Sequence, residues 1–315
     1  MTARSILVYH PEPGEAQAYA RLIKQPRPPF TVAVCATPAE AETHIADTEI
    51  LYAWDFPREL LPRAVKLRWA QSMGAGVERL MGPELPRRVT VTRVAGIFGP
   101  WMAEYVLGWC LWLTQRTELF RAQQRERRWR QVDPLRLRGA TLCVVGLGDI
   151  GRTIARAARG FGMRVVGVSR SGKMVAEAER VHKVRDIRKA IATADFVALT
   201  VPLTGATRGL IGAAELAAMR PTAWLINVAR GPVVDEAALL DALRNNRLGG
   251  VVLDVFDEEP LPQGHPLWEF GNVVVTPHIS GPSTPDEIAP IFDDNLRRYV
   301  AGRTLRYVAD RERGY

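Results

Sequence analysis

A cation, a carboxylate and an imidazole stand in the second half of the chain, each at or just after the end of an apolar run typical of a strand. They are Arg230, Glu259 and His278. Because ligands collect at the carboxyl ends of strands in open α/β sheets, we expect these side chains to meet. A fixed cation can hold a substrate carboxylate and a developing alkoxide, an imidazole can protonate that oxygen, and a carboxylate can tune the imidazole. The set predicts reduction of a carbonyl group.

Each of the three residues alone has a common structural explanation. An arginine after a strand is usually an ion-pair partner, a glutamate before proline is usually a solvated loop residue, and a single histidine is more often structural than catalytic. The neighbouring acids Asp257 and Glu258 are expected to face solvent. The prediction therefore depends on the three residues lying together.

A glycine motif, Gly146-Leu-Gly148-Asp-Ile-Gly151, lies between the apolar run LCVVG and an amphipathic stretch. In such a strand-turn-helix setting, the first glycine permits the tight turn and the second lets the backbone approach a pyrophosphate. The third lets helix and strand pack closely, with the phosphates at the helix N-terminus. The motif predicts a dinucleotide site, and a plain glycine turn is the alternative.

The next strand ends eighteen residues beyond Gly151 in Ser169-Arg170-Ser171, with Lys173 close by. A site for NAD usually places a carboxylate there to hold the ribose 2'-hydroxyl, and none is present. A cationic, hydroxyl-rich turn suits the extra 2'-phosphate of NADP. We predict that NADP(H) is preferred and NAD(H) is possible; an ordinary exposed arginine with relaxed cofactor choice is the alternative.

These motifs need a scaffold of alternating strands and helices, and the chain has that rhythm twice. Short β-rich runs alternate with helical stretches between residues 6 and 54, and a second series extends from residue 142 to about residue 277. The runs of the second series are apolar throughout, as expected when helices cover both faces of a parallel sheet. Residues 101–124 predict one long, buried connecting helix. Residues 285–315 predict a helix and a tail.

Composition narrows the class of protein. The length of 315 residues, with 47% hydrophobic and 24% charged residues, suits two globular domains. No run approaches a membrane span and the first residues lack the apolar core of a signal peptide, so we expect a cytoplasmic protein without a membrane partner. Much of the net charge of +8 lies between Arg116 and Gly139, which indicates a solvated helix end and connector, with steering of anionic ligands and then nucleic-acid binding as the alternatives. Trp129 is expected to be an anchor. The cysteines suit reduced core thiols and no metal site: Cys35, Cys110 and Cys143.

The ordered motifs resemble the D-isomer-specific 2-hydroxyacid dehydrogenase family, and within it the glyoxylate/hydroxypyruvate reductases of the bacterial A type. The resemblance covers nearly the whole chain and is strongest in the glycine loop and in segments beginning at Val201, Ile226, Leu253 and Val275. It implies an oxidoreductase in which NADPH reduces small 2-oxo acids, such as glyoxylate and hydroxypyruvate, to 2-hydroxy acids.

The resemblance also implies an architecture. Two Rossmann-like, doubly wound α/β domains are expected, with a dinucleotide-binding domain at 99–285 inserted into a discontinuous substrate domain at 1–98 and 286–315. The cleft between them is expected to close over the substrate and exclude water. The long apolar helix from Trp101 is expected to form a homodimer.

The resemblance implies a role for each residue of the reactive set. Arg230 binds the carboxylate and carbonyl oxygen of the substrate, His278 delivers the proton, and Glu259 hydrogen-bonds that histidine. Asp254 is expected near the nicotinamide or as a support for Arg230. The implied cofactor-binding residues are Gly146, Gly148, Asp149, Ile150, Gly151, Ser169, Arg170, Ser171, Val201, Pro202, Thr207, Val228, Ala229, Arg230, Asp254, His278, Ser280 and Gly281.

A second glycine loop, in the first domain, is the implied binding site for the substrate carboxylate. Trp54 is expected to wall the pocket, although an aromatic residue at a strand end is as often core, and the loop is otherwise a tight turn. The loop residues are Met73, Gly74, Ala75 and Gly76. The chain departs from the usual family pattern at residues 93–104, where the side chains expected to reshape the pocket are Ile97, Phe98, Trp101 and Met102.

Two alternatives to this function stay open. A dinucleotide-sensing binding protein, as among corepressor relatives of these enzymes, explains the fold but does not need Arg230, Glu259 and His278 all intact. A dehydrogenase for a bulkier acid keeps the chemistry and changes the substrate. Formate and phosphoglycerate dehydrogenases fit less well, because the chain is short for the first and lacks the regulatory domain often attached to the second.

Overall fold

The computed structural model describes residues 4–315, and the chain forms two units. One unit runs up to Ile97 and resumes at Ser283–Tyr315, and the other is Phe98–Pro282. The sequence placed the domain boundaries after residues 98 and 285, and in the structure the units divide after residues 97 and 282. Within residues 4–315, no helix combines the length and apolar content needed to cross a membrane.

The first unit is built around a five-stranded sheet in the order β2-β1-β3-β4-β5, and its strands pair in parallel. The central strands β3 and β4 are buried along their whole length, which requires cover on both faces. The elements are β1 (Ser5–Tyr9), α1 (Pro13–Leu22), β2 (Thr31–Cys35), α2 (Pro38–His44), β3 (Ile50–Ala53), β4 (Trp69–Ser72) and β5 (Thr90–Thr92).

The second unit contains a seven-stranded parallel sheet in the order β12-β11-β10-β9-β6-β7-β8. The chain winds outward from β6 in both directions, so the strand order reverses between β6 and β9 and opens a binding crevice there. The elements are α3 (Phe98–Thr114), α4 (Thr117–Arg125), β6 (Thr141–Val145), α5 (Asp149–Gly160), β7 (Arg164–Ser169), β8 (Arg180–Lys183), α6 (Ile187–Ile191), β9 (Phe196–Leu199), α7 (Ala213–Ala218), β10 (Trp224–Asn227), α8 (Glu236–Arg244), β11 (Gly250–Leu253) and β12 (Val273–Val275).

The last helix, α9 (Pro285–Val300), belongs to the first unit, although it follows the second in sequence. Aromatic packing explains this, because the ring of Phe292 on α9 stacks on Tyr52 of β3 at 4.0 Å and on Trp69 of β4 at 5.1 Å between ring centroids. The two parallel sheets with their helices confirm the predicted α/β class.

The prediction of a single long helix over residues 101–124 is wrong, because the segment forms two helices. Arg116 adopts a left-handed backbone with φ of 52° and divides the segment into α3 and α4. The amide N–H of Arg116 donates to the carbonyl of Leu113 and its side chain donates to the carbonyl of Asp133, which hold the break. Hydrophobic periodicity could not reveal it, because the apolar pattern continues across the break.

Candidate active site

The residues predicted to bind cofactor and substrate in the second unit lie at the carboxyl ends of neighbouring parallel strands. The glycine loop follows β6, Ser169–Ser171 end and follow β7, and Val201–Thr207 follow β9. Val228–Arg230 follow β10, Asp254 follows β11, and His278–Gly281 follow β12. Because all these strands belong to one parallel sheet, the segments share its carboxyl edge, which includes the point between β6 and β9 where the strand order reverses.

The first and third glycines of the loop are required by its backbone. Gly146 has φ of 109°, and a Cβ there would lie 2.9 Å from the backbone of Thr200 and Val201. A Cβ on Gly151 would lie 1.9 Å from the carbonyl oxygen of Gly146, so only glycine lets α5 start this close to β6. The hydroxyl of Thr200 donates to the same oxygen at 2.7 Å and ties the loop to the end of β9.

Gly148 needs a different explanation. Its backbone is extended, with φ of −78°, and no atom of the described part of the chain lies within 4 Å of where its Cβ would be. The fold would therefore accept a side chain there. A dinucleotide pyrophosphate lying against the amides at the start of α5 would not, and Gly148 thus fits the predicted cofactor.

The turn after β7 carries the cations expected at the adenosine end of the cofactor. Arg170, Ser171 and Lys173 are exposed. The hydroxyl of Ser169 accepts from the amide of Gly172 at 3.1 Å, and that of Ser171 accepts from the amide of Lys173 at 3.2 Å. These bonds shape the turn and leave both hydroxyl protons available for a phosphate.

Arg230 is placed by a turn built on Asn227, the last residue of β10. The buried amide of Asn227 accepts from the backbone of Ala229 at 3.0 Å and donates to the carbonyl of Arg230 at 3.0 Å. The next residue, Gly231, allows close approach, since a Cβ there would lie 2.0 Å from the backbone carbon of Phe256. This contact brings the Arg230 turn against the loop that carries Glu259.

Glu259 and His278 form a hydrogen-bonded pair, with His278 Nδ1 at 2.8 Å from Glu259 Oε2. The other oxygen, Oε1, accepts from the amide of Phe256 at 2.9 Å. Burial opposes ionisation, but the hydrogen bonds from His278 and Phe256 and the charge of Arg230 hold the pKa of Glu259 below its ordinary value. An ionised Glu259 can only accept, so the Nδ1–H group of His278 donates the hydrogen bond to it. This leaves Nε2 of His278 as the nitrogen that can deliver a proton. Asp257 and Glu258 are exposed, as expected.

Asp254 holds the segment that carries His278. Its carboxylate is fully buried and accepts from the amides of Ile279 and Ser280 at 2.9 and 2.8 Å and from the hydroxyl of Thr276 at 2.6 Å. His278 has φ of 54°, a left-handed backbone that costs a non-glycine residue energy and persists because its surroundings impose it. Asp254 was expected near the nicotinamide or as a support for Arg230, and these contacts show that it also holds the segment that carries His278.

Contacts from α3, which sequence reasoning missed, complete this support. The hydroxyl of Tyr105 on α3 lies 2.6 Å from that of Thr276, which in turn donates to Asp254. Phe98 and Met102, expected to reshape the pocket, are buried, and both come within 3.5 Å of a Cβ built on Gly281. The start of α3 therefore supports the loop after β12 from beneath, which only the tertiary packing reveals.

Other predicted cofactor residues act through the backbone or through their neighbours. Val228, Ala229 and Ser280 are buried, so their side chains face the protein. The hydroxyl of Thr207 donates to the carbonyl of Pro202 at 2.6 Å and organises the loop after β9. Within residues 4–315, no group of three or more His, Cys, Asp or Glu side chains is arranged to hold a metal ion.

The predicted substrate loop in the first unit follows β4, and its amides are not equivalent. The amide of Met73 donates to the carbonyl of Ala53 at 3.0 Å, and that of Gly74 donates to the hydroxyl of Ser72 at 3.1 Å. The side chain of Met73 is also fully buried. Within residues 4–315, the amides of Ala75 and Gly76 make no hydrogen bond, so these two, and not Met73, can hold an anion.

Trp54 lies over this loop. A Cβ on Gly74 would be 2.8 Å from the indole of Trp54, so glycine permits the contact. On its other side, the indole stacks on His10 at 6.2 Å between ring centroids. Burial lowers the pKa of His10, which favours the neutral imidazole. His10 was not predicted from the sequence, because only the pairing of β1 with β3 brings it beside Trp54.

Comparison with known proteins shows the family of this chain. Residues 107–280 match the family described as D-isomer specific 2-hydroxyacid dehydrogenase, NAD binding domain. The chain is 32% identical over 270 residues to the glyoxylate/hydroxypyruvate reductase A of Photorhabdus laumondii, covering 83% of this chain and 86% of that protein.

Two solved structures share the whole fold. A D-isomer specific 2-hydroxyacid dehydrogenase family protein from Aeromonas salmonicida superposes with a TM-score of 0.89 and 37% identity, covering 99% of this chain and 100% of the other. An NADPH-dependent glyoxylate/hydroxypyruvate reductase from Sinorhizobium meliloti, solved with NADP and sulfate, has a TM-score of 0.90 and 28% identity over the same shares. This chain belongs to the D-isomer specific 2-hydroxyacid dehydrogenase family, which confirms the predicted family and the predicted class of enzyme.

Proposed function

We propose that this protein reduces glyoxylate and hydroxypyruvate to the corresponding 2-hydroxy acids with NADPH. The observation that carries the proposal is the 2.8 Å pair of Glu259 and His278, set on the same sheet edge as Arg230 and the glycine loop. The substrates follow from relatives that are named for those two acids.

Each residue has a defined task in this reaction. The glycine loop Gly146–Gly151 and the turn after β7 would hold NADPH, which would supply the hydride for the 2-carbon. Arg230 neutralises the carboxylate and the oxygen on which charge develops. His278 gives that oxygen a proton from Nε2, and Glu259 stabilises the positive charge on the ring before transfer and fixes the ring orientation through Nδ1.

The cofactor proposal depends on charge at the adenosine end. Arg170 and Lys173 are exposed cations in the turn after β7, and no carboxylate lies among residues 169–173 to hold a ribose 2'-hydroxyl. A guanidinium binds a phosphate strongly through paired, charge-assisted hydrogen bonds. We therefore place the 2'-phosphate of NADP(H) there. NAD(H), which lacks this phosphate, is the weaker alternative.

In the first unit, we assign the substrate carboxylate to the amides of Ala75 and Gly76. Adjacent free amides form an anion-binding nest. Trp54, whose indole covers Gly74, is proposed as the wall of this carboxylate site. This arrangement favours small acids over bulky ones.

We further propose a homodimer formed through α3 and the segment that follows α4. Trp109 and Trp112 on α3 form an apolar groove with Trp268 and the edge strand β12. Trp129, expected to be an anchor, is instead fully exposed. A second copy would cover this aromatic surface. Light scattering of the purified protein should give twice the chain mass, and a monomer would refute the dimer.

We propose a cytoplasmic location because the cysteine thiols form no disulfide. The three cysteines are free and buried, as predicted, which suits a reducing compartment.

The test of the function is oxidation of NADPH, and separately of NADH, with glyoxylate, hydroxypyruvate, pyruvate and phenylpyruvate. We expect turnover with the first two acids and a lower KM for NADPH than for NADH. Arg170→Ala should weaken the binding of NADPH more than that of NADH. Turnover of phenylpyruvate alone would refute the two proposed substrates and indicate a bulkier acid. Tight dinucleotide binding without turnover of any acid would favour the sensing protein instead.

A further inference from the structure

Glu177 is a buried carboxylate that the reaction does not use. It lies in the connection between β7 and β8, 6% exposed, in a segment whose other charged residues are exposed. Two arginines on α5 bind it. Nε and an Nη of Arg152 lie 3.1 and 3.2 Å from its two oxygens, and an Nη of Arg156 lies 2.9 Å away. These bonds hold the pKa of Glu177 at about 2, against the opposing effect of burial.

The arginines form one row on the helix. Arg152, Arg156 and Arg159 stand at i, i+4 and i+7 on α5, so they share a face. Arg159 donates to the backbone carbonyl of Ala176, beside Glu177. Between Arg170 and Glu177, the other hydrogen bonds that the structure gives for residues 4–315 stay within the turn, so this row joins residues 170–177 to the rest of the unit.

The two ends of this connection have different tasks in a dinucleotide site. α5 begins in the glycine loop, where the pyrophosphate fits beside Gly148. The segment held by Glu177 carries Arg170 and Lys173, the exposed cations of the adenosine end. A clamp between α5 and this segment therefore sets the distance between the two anion sites. A flexible segment would have to be ordered at each binding event, which costs affinity.

We propose that Glu177 is a positioning residue for recognition of the NADP 2'-phosphate. Clamped by Arg152 and Arg156, it holds residues 170–177 against α5, so that Arg170 and Lys173 are presented to the phosphate. Glu177 also neutralises two cations that would otherwise compete for the phosphate at the wrong place. The inference rests on the proposed NADPH preference and adds a residue that never touches the cofactor.

The experiment compares Glu177→Ala and Glu177→Gln with a matched ion-pair variant, Arg220→Gln. Arg220 pairs with Asp195 at 2.8 Å in the same unit, away from residues 170–177 in sequence. Dissociation constants for NADPH, NADH, adenosine 2',5'-bisphosphate and AMP are measured by fluorescence or calorimetry. Hydrogen exchange of residues 170–179 is followed in the ligand-free protein.

We expect Glu177→Ala to lose at least fivefold of the affinity ratio of NADPH to NADH and of bisphosphate to AMP, with faster exchange at residues 170–179. Glu177→Gln should be intermediate, because its amide keeps an acceptor but no charge. Arg220→Gln should change neither. The inference would be overturned if Glu177→Ala weakened NADPH and NADH equally, or the bisphosphate and AMP equally, so that the affinity ratio stayed unchanged. Tighter NADPH binding in Glu177→Ala would also overturn it. A wild-type protein without NADPH preference, unaffected by Arg170→Ala, would overturn the cofactor proposal first and this inference with it.

Discussion

Replacing Glu259 by glutamine removes the charge that faces His278 while keeping the shape of the side chain. A hydrogen bond to a charged group contributes about 1.5–3 kcal/mol. Because the side chains of His278 and Glu259 are 41% and 33% exposed, water screens their pair, and we use the lower part of that range, about 1.5–2 kcal/mol. With tenfold in rate for about 1.4 kcal/mol, kcat should fall roughly 10- to 30-fold.

The pH dependence of this effect has a defined sign. The pKa of Glu259 lies below its ordinary value, because hydrogen bonds from His278 and Phe256 outweigh its burial. The contribution of the carboxylate is therefore complete above the ordinary glutamate pKa and is lost as the pH falls through the lowered value. The ratio of wild-type to variant kcat should therefore decline toward one as the pH falls through the lowered pKa of Glu259.

The assay is steady-state oxidation of NADPH with glyoxylate between pH 4 and pH 8. Glu258→Gln is the matched control, since Glu258 is the adjacent acid and is exposed. Combined with His278→Asn, the Glu259 change should add little, because both act on one proton donor. A kcat ratio below threefold at neutral pH, a ratio that rises as the pH falls, or an equal loss in Glu258→Gln would refute the assigned roles.

Three further predictions concern Gly148, Tyr105 and Glu177. Gly148→Ala should raise the Kd for NADPH at least tenfold and leave Tm nearly unchanged, because an added Cβ would meet the cofactor and, apart from its two chain neighbours, no atom of residues 4–315 within 4 Å; fluorescence titration and thermal unfolding check this, and a lowered Tm with normal affinity contradicts it. Tyr105→Phe should cost about 1 kcal/mol of unfolding free energy and several-fold in kcat, by loss of the bond to Thr276; urea unfolding and kinetics measure both, and an unchanged kcat would remove its positioning role. Glu177→Gln should lower the unfolding free energy at pH 7 by about 1–2 kcal/mol, discounted for the 47% and 66% exposure of its arginine partners. Because the Glu177 pKa is about 2, this difference should hold above the ordinary glutamate pKa and vanish as the pH falls toward 2, and a difference that survives there would contradict the ion pair.

Local sequence carried the fold class and the reactive set. Strand runs, the glycine spacing and the types of Arg230, Glu259 and His278 are readable because each depends on neighbours within a few residues. The short edge strands β5 and β8 were not predicted, since a strand such as RVHK at Arg180–Lys183 is half exposed and lacks an apolar run. Its place is set by pairing with β7.

The amino-acid sequence by itself determined which chemistry this protein carries, because the residue types and their order after successive strands are local properties. Only the tertiary structure decided how that chemistry is held. Asp254 supports His278, Tyr105 reaches Thr276 from α3, and Glu177 ties the turn after β7 to α5. These partners lie 21 or more residues apart in the chain, so sheet register and helix packing bring them together, and neither distance nor direction across such a separation is written in a local pattern.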